Sequence, residues 1–438
     1  MSDGSQTNKL IIIAVIALIL GVAIGYGLTS LTMVPLSEYA ELQTSYNELQ
    51  ASSVSLSDYN QLQSEYDDLL ALLPRTSVKA GFIYVGPIGD FGWSHAHEQG
   101  RLYIDQKFPW LETVYFESVA EADCERYVDR LITEEECDIV FTTSFGFMDP
   151  TITSGEKYGD KVFFHCSGFL RRENVGTYFA DFYQLYYLNG LMAGALTKTD
   201  KVGYVGAYPT PEVVRHINAF ALGVREVNPE ATISVRWIYS WYDPTSAREA
   251  AESLIAEGCD ALAFTEDSPT VLQVGQEHTE AGNQIYTFSH YSPMQKFAPD
   301  SCVSGQLAHW ETLYEDIIIR YYLGVHNSTN LSNVDYLYNL RLGGVELGGE
   351  FGVPINPVFV SELESVFVED LVLGNINVND LVMVRLNQMS APLVSFDPFS
   401  GPIRDQEGTI RIPEGAQGTY ADLWTIDWFV EGVIGTVG

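Results

Sequence analysis

The chain has 438 residues, with 58 acidic side chains against 23 basic ones, and this net charge of −35 lacks the basic footprint that a polyanion binder needs, so a nucleic-acid partner is excluded. A hydrophobic content of 46% is ample for a core, and about two domains remain once roughly 75 N-terminal residues are set aside. The acidity itself reads either as a solvated exterior or as the mark of a saline habitat.

Residues 1–9 form a short polar tail, expected in the cytoplasm. Residues 10–34 are almost wholly apolar and match the ~20 residues that cross a bilayer. An uncleaved transmembrane anchor is favoured over a cleaved signal peptide, because the apolar run continues past the small residues Ala23 and Gly25. Lys9 precedes the run and no further positive charge follows until Arg75, so the rest of the chain is expected outside the cell membrane as a single-pass protein. Over residues 35–77 the pattern Leu36-Ser37-Glu38-Tyr39, Leu42, Tyr46, Leu49 recurs as Leu56-Ser57-Asp58-Tyr59, Leu62, Tyr66, Leu69. The 3-4-3 spacing of Tyr39, Leu42, Tyr46 and Leu49 suggests a helical, coiled-coil stalk; a single solvated helix or a flexible spacer reads equally well.

From Val78 onward, apolar strand candidates alternate with helical patterns. The strands are expected at 80–85, 113–116, 138–142, 161–165, 201–207, 232–239, 260–265 and 284–289. Helices are expected at 121–133, 211–227, 246–257 and 270–281. Such alternation means α/β architecture with parallel sheets, and this many units need more than one sheet. Residues 78–438 are therefore expected to form a bilobed binding domain that closes by hinge motion. Lobe 1 is expected over about 78–199 plus part of 290–438, and lobe 2 over about 200–289 plus part of the C-terminal region, with crossings near 197–200 and 289–293. Past Gly324 the pattern is less regular. Asn327-Ser328-Thr329 and Asn330-Leu331-Ser332 are glycosylation sequons, residues 396–415 have strand-turn character, and the aromatic stretch 424–433 is expected to pack back onto a lobe.

No catalytic signature is present: GxSxG, HExxH and GxxxxGK[ST] are all missing. His95 and His97, two positions apart on a predicted helix, point to nearly opposite faces and make a poor metal chelate. Cys124, Cys137, Cys166, Cys259 and Cys302 follow no CxxC pattern, so buried thiols are expected, with a Cys124–Cys137 bridge left open. What the chain does carry is aromatic. Trp93 lies in the first strand-to-helix loop, among Gly86, Pro87, Gly89 and Gly92, and Trp241 follows a strand in the other lobe. Ligands of open α/β sheets sit at the carboxyl ends of strands. Two indoles there can sandwich a flat ring, at about 1–3 kcal/mol per stacked base; equally, they can plug the lobes. Asp90 or Asp267 can accept from an exocyclic amine.

The segment Gly89-Asp90-Phe91-Gly92-Trp93, with His97 and Gly100, resembles the GDxGWxxxHxxG loop of the basic membrane protein family of ABC-transporter substrate-binding proteins, which includes purine-nucleoside receptor lipoproteins. Further segments fit the same family: Phe145 to Pro150, Asn174 to Phe179, Pro211 to Arg215, Ser240 to Pro244, Asp267 to Pro269, Pro398 to Ile403 and Asp427-Trp428. The resemblance implies a two-lobed type I periplasmic-binding-protein fold, no enzymatic activity, a purine-like ligand, and a permease and ATPase as partners. It places Trp93 and Trp241 at the stacking positions. The candidate ligand-binding set is Trp93, Trp241, Asp90, Ser94, Phe145, Asp267, His290 and Tyr291, with no catalytic residue, cofactor or metal. One departure bears on specificity. Where many members carry an Asp-rich segment for ribose hydroxyls, this chain reads Ser289-His290-Tyr291-Ser292-Pro293, which favours a free base or another flat heterocycle. The alternatives are a sensor ectodomain for a membrane partner and a structural surface protein that reuses the fold.

Overall fold

The computed structural model describes residues 75–393 and 396–438. The expected tail, span and nearly all of the stalk lie outside the described residues, and among the described residues no helix is long and apolar enough to cross a membrane. Residues 75–438 form one compact unit.

The chain opens with β1 (Val78–Ile83), α1 (Trp93–Lys107), β2 (Leu111–Phe116), α2 (Cys124–Thr133), β3 (Ile139–Thr142), α3 (Met148–Lys157), β4 (Val162–Cys166) and β5 (Val175–Ala180). It continues with α4 (Tyr183–Leu196), β6 (Lys201–Gly206), α5 (Pro211–Val227), β7 (Thr232–Trp237), α6 (Pro244–Ala256), β8 (Ala261–Thr265), α7 (Thr270–Glu280), β9 (Tyr286–Tyr291) and β10 (Cys302–Ala308). Next come α8 (Trp310–Tyr322), β11 (Asp335–Tyr338), β12 (Val345–Leu347), α9 (Pro357–Glu364), the hairpin of β13 (Phe367–Asp370) and β14 (Gly374–Asn377), and α10 (Val378–Ser390). The tail adds the hairpin of β15 (Ile403–Arg404) and β16 (Ile410–Ile412), then α11 (Tyr420–Trp424) and β17 (Val433–Ile434). Each expected strand forms within two residues of its expected bounds, and α5 spans the expected 211–227.

Among the described residues, one lobe is a six-stranded sheet of order β11-β5-β4-β3-β1-β2 and the other a seven-stranded sheet of order β12-β10-β9-β8-β6-β7-β17. Neighbouring strands are parallel, as in Val78↔Leu111 and Lys201↔Thr232, except where β12 runs antiparallel to β10. The central strands β3, β4, β8 and β9 are buried along their whole length. This is why β3, β4 and β8 read as near-continuous apolar runs rather than alternating ones.

The passages between lobes differ from the expected ones. The chain leaves the first sheet at Asp181-Phe182, returns at His309, where α8 goes on to pack against α1, and crosses again between β11 and β12. The turns at 197–200 and 289–293 lie inside the second lobe, because α4 packs against α5 and β10 pairs with β9. Turn residues mark where a strand ends but not which sheet the next element joins. Every residue of α4 is buried, so it lacks the one-sided stripe by which an amphipathic helix is recognised. It lies backbone to backbone on α5: a Cβ at Gly190 would come 2.1 Å from the Phe220 carbonyl oxygen. The first passage is pinned by a buried ion pair in which Arg215 of α5 meets Asp181 at 3.2 Å.

All five cysteines are free and buried, so the Cys124–Cys137 bridge is not formed. Toward the C-terminus, the 396–415 stretch forms the β15–β16 hairpin. The aromatic tail returns to the second lobe, where Asn218 donates to the Trp428 carbonyl and β17 pairs with β7.

Candidate functional site

The carboxyl ends of strands from both sheets meet around one small cavity of about 20 Å³, room for about one water, so a ligand the size of a ring enters it only as the lobes separate. From the first lobe come Val85 and Trp93 after β1, Ser144 and Phe145 after β3, and Ser167 after β4. From the second come Glu212 at the start of α5, Trp241 after β7, Asp267 after β8, and Tyr291 at the end of β9.

Trp93 is buried and held on its edges. Its indole Nε1 donates to the Thr143 carbonyl, and its ring meets Tyr291, His97 and Trp310 edge-on, with centroids 4.8, 4.6 and 5.1 Å away. Trp241 is half-buried and packs on Tyr208, at 5.3 Å between centroids. The Trp241 carbonyl accepts from the Asp267 backbone N–H at 2.7 Å, tying the two loops together. Ser167 and Tyr291 adopt left-handed φ values of 65° and 61°. Such conformations are costly for non-glycine residues and cluster at functional sites.

The predicted carboxylates part company. Asp90 is buried and spent on backbone: Oδ1 accepts from the N–H of Gly92 at 2.8 Å and of His95 at 3.0 Å, and Oδ2 accepts from that of Ser94 at 3.2 Å. It caps α1 and does not line the cavity. Burial pushes its carboxyl up to about 6, against those three N–H groups. Ser94 is likewise turned away, its Oγ accepting from the Gly86 N–H at 3.0 Å. Asp267 does line the cavity. Its carboxyl accepts from the Trp93 backbone N–H, while desolvation, then Asp90 and Glu266, hold it well above the usual carboxylate range; its Oδ1 has no protein partner. His290 sits behind the wall, bonded through Nδ1 to the Tyr186 hydroxyl at 2.6 Å. Successive side chains of a strand face opposite sides, so β9 presents Tyr291 to the cavity and His290 to the core. Of the expected residues, Trp93, Trp241, Phe145, Asp267 and Tyr291 come together, and Asp90, Ser94 and His290 do not.

Glu212 is the residue that sequence reasoning missed as a site residue. It accepts from the Tyr291 hydroxyl at 2.9 Å, and burial pushes it up to about 7. Its signal was positional: it follows the strand-ending loop of β6 at the N-terminus of a long helix, where ligands of such sheets sit. The same rule would have picked Ser144 and Ser167.

The lobes touch at the mouth of this cavity. Ser292 Oγ donates to the Gly92 carbonyl at 3.1 Å. Phe91 meets Phe297 edge-on at 5.0 Å, with the Lys296 ammonium 4.6 Å from the Phe91 ring centre.

A family model for "ABC transporter substrate-binding protein PnrA-like" matches residues 77–379. A "Purine-binding protein" of Brucella abortus is 32% identical over 81% of this chain and 93% of its own length. A "Putative ABC transporter glucose-binding protein" of Haloferax volcanii is 43% identical over 54% of this chain, a match that spans 59% of that relative. A solved solute-binding protein of an Aeropyrum pernix ABC transporter system shares the fold, with a TM-score of 0.61 at 15% identity over 72% of this chain and 91% of that one. Two lobes of parallel sheet, a cavity between the carboxyl ends of their strands, and a family match over most of the described body lead to one conclusion: this chain belongs to the PnrA-like (Bmp) family of ABC transporter substrate-binding proteins.

Proposed function

We propose that the chain is the extracytoplasmic receptor of an ABC importer and binds a free purine base, or a close flat heterocycle, stacked between Trp93 and Trp241. The observation that carries this reading is that the two indoles, one from each lobe, line a single small cavity. Phe145 adds apolar surface, and Asp267, Glu212 and Tyr291 supply the polar edge. A base is favoured over a nucleoside because Tyr291, which stands where relatives place a ribose-binding carboxylate, gives its hydroxyl to Glu212. Residues 10–34 anchor the body to the membrane, and a permease and ATPase take the ligand onward.

The test is calorimetric titration of the full chain with nucleobases and nucleosides. Trp93→Ala and Trp241→Ala are each expected to cost about 1–3 kcal/mol, roughly 5- to 150-fold in Kd. Purine affinity unchanged in both variants would sink the stacking. A second reading, a sugar, is favoured by the name of the Haloferax volcanii relative and by carboxylates that suit hydroxyl donors as well. Glucose binding without purine binding would decide for it.

A further inference from the structure

The polar lining of the cavity is rich in acceptors and poor in donors. Asp267 is 2% exposed, yet its Oδ1 meets no donor. Directly behind it Glu266 is fully buried, with the Ser268 hydroxyl on Oε1 and nothing on Oε2. Glu212 takes the Tyr291 hydroxyl, so that phenol proton is already committed. Among the described residues no Lys or Arg lines the cavity. Arg215, on the same helix as Glu212, is engaged with Asp181 and the Leu423 carbonyl. Asp90, the remaining acid close by, has both oxygens on backbone N–H groups. A buried acceptor facing a cavity without a protein donor is an invitation to a donor from the ligand.

We propose that Asp267, which lines the cavity with Trp93 and Trp241 and keeps its Oδ1 free of protein donors, selects aminopurines by accepting a hydrogen bond from the exocyclic amine. The inference deepens the purine reading and rests on it. A carbonyl oxygen at the same place sets an acceptor against an acceptor, and in a desolvated site that mismatch cannot be relieved by water. Glu212 reinforces the choice by adding a second carboxyl to the same lining. Hypoxanthine is therefore the informative comparison. It has the ring and the stacking faces of adenine with oxygen in place of the 6-amino group, and it lacks the 2-amino group of guanine.

The experiment measures Kd for adenine, guanine and hypoxanthine on the full native chain and on Asp267→Asn. The native chain is expected to bind the better aminopurine at least about tenfold more tightly than hypoxanthine, the scale of leaving one buried acceptor unpaired. In Asp267→Asn, where the amide can donate to the 6-carbonyl oxygen, that ratio is expected to collapse toward one or reverse. Hypoxanthine binding as tightly as both aminopurines in the native chain overturns the inference while leaving the purine reading intact, and so does a ratio that Asp267→Asn leaves unchanged. No binding of any purine overturns the reading beneath it. The native-chain comparison needs no variant, so a poorly folding Asp267→Asn would not shelter the inference.

Discussion

An alanine Cβ at Gly92 would stand 2.6 Å from the Asp267 Cα, closer than side-chain carbons approach backbone, so the first-lobe loop rests directly on the second lobe only because this position has no side chain. Gly92→Ala is expected to hold the lobes apart. Ligand affinity should fall by about 1–3 kcal/mol, the usual cost of overpacking, while the melting temperature of the unliganded chain barely moves, since an open form avoids the clash; an unchanged Kd would refute this account of closure. Glu212 carries a second expectation. Burial raises its carboxyl to about 7, with Arg215 on its own helix, Tyr291 from β9 and Ser167 from β4 pulling the other way and Asp181 adding to the rise. A carboxyl raised in the folded chain holds its proton more tightly there than when unfolded. Its stabilising contribution is therefore complete below its ordinary value and lost as pH climbs through the raised one. Between pH ~4.5 and ~7 the melting temperature should decline, and Glu212→Gln, which stays neutral, should flatten that decline. A slope identical to the native chain's would rule Glu212 out as a contributor.

At the scale of elements, the glycine loop and α1 act as one piece. Asp90 is the fastener, with three backbone N–H groups on its carboxylate. Asp90→Ala should cost about 1–2 kcal/mol in urea unfolding, as loss of a helix N-cap does, and Asp90→Asn, which keeps one oxygen acceptor, should cost less. Ligand selectivity should survive both, because Asp90 does not line the cavity. Legibility varied between helices for a physical reason. α5 announces itself with Thr210 capping, Pro211 at its first position and a one-sided apolar stripe. Its neighbour α4, buried on every side, offers no periodicity to read, and overlooking it placed the first crossing some 16 residues too late, at 197 rather than 181.

For the whole molecule, the binding reading requires motion. The passages at Asp181-Phe182, His309 and between β11 and β12 are the only covalent links between the lobes among the described residues, and few linking segments make a hinge. Saturating purine should lower the radius of gyration in solution scattering and raise the melting temperature, since a ligand of the folded state alone stabilises it by mass action. A radius of gyration that stays fixed while the melting temperature rises would show binding without hinge closure.

The sequence by itself determined the alternation of strand and helix, the parallel two-sheet class, and the loops that carry Trp93 and Trp241 to a cleft. These follow from apolar runs, turn residues and the rule that ligands sit at strand carboxyl ends, all of which are local in the chain. The tertiary structure alone decided which sheet each element joined and what each polar residue was used for. Asp90 and Asp267 look alike as acids after a β-strand. One is consumed by the backbone of its own loop, and the other keeps an oxygen free because the residues that bury it, among them the Gly92 loop, arrive from the opposite lobe. Ser292 and Gly92, which close that mouth, lie 200 positions apart in the chain, and no local pattern can report a contact made at that distance.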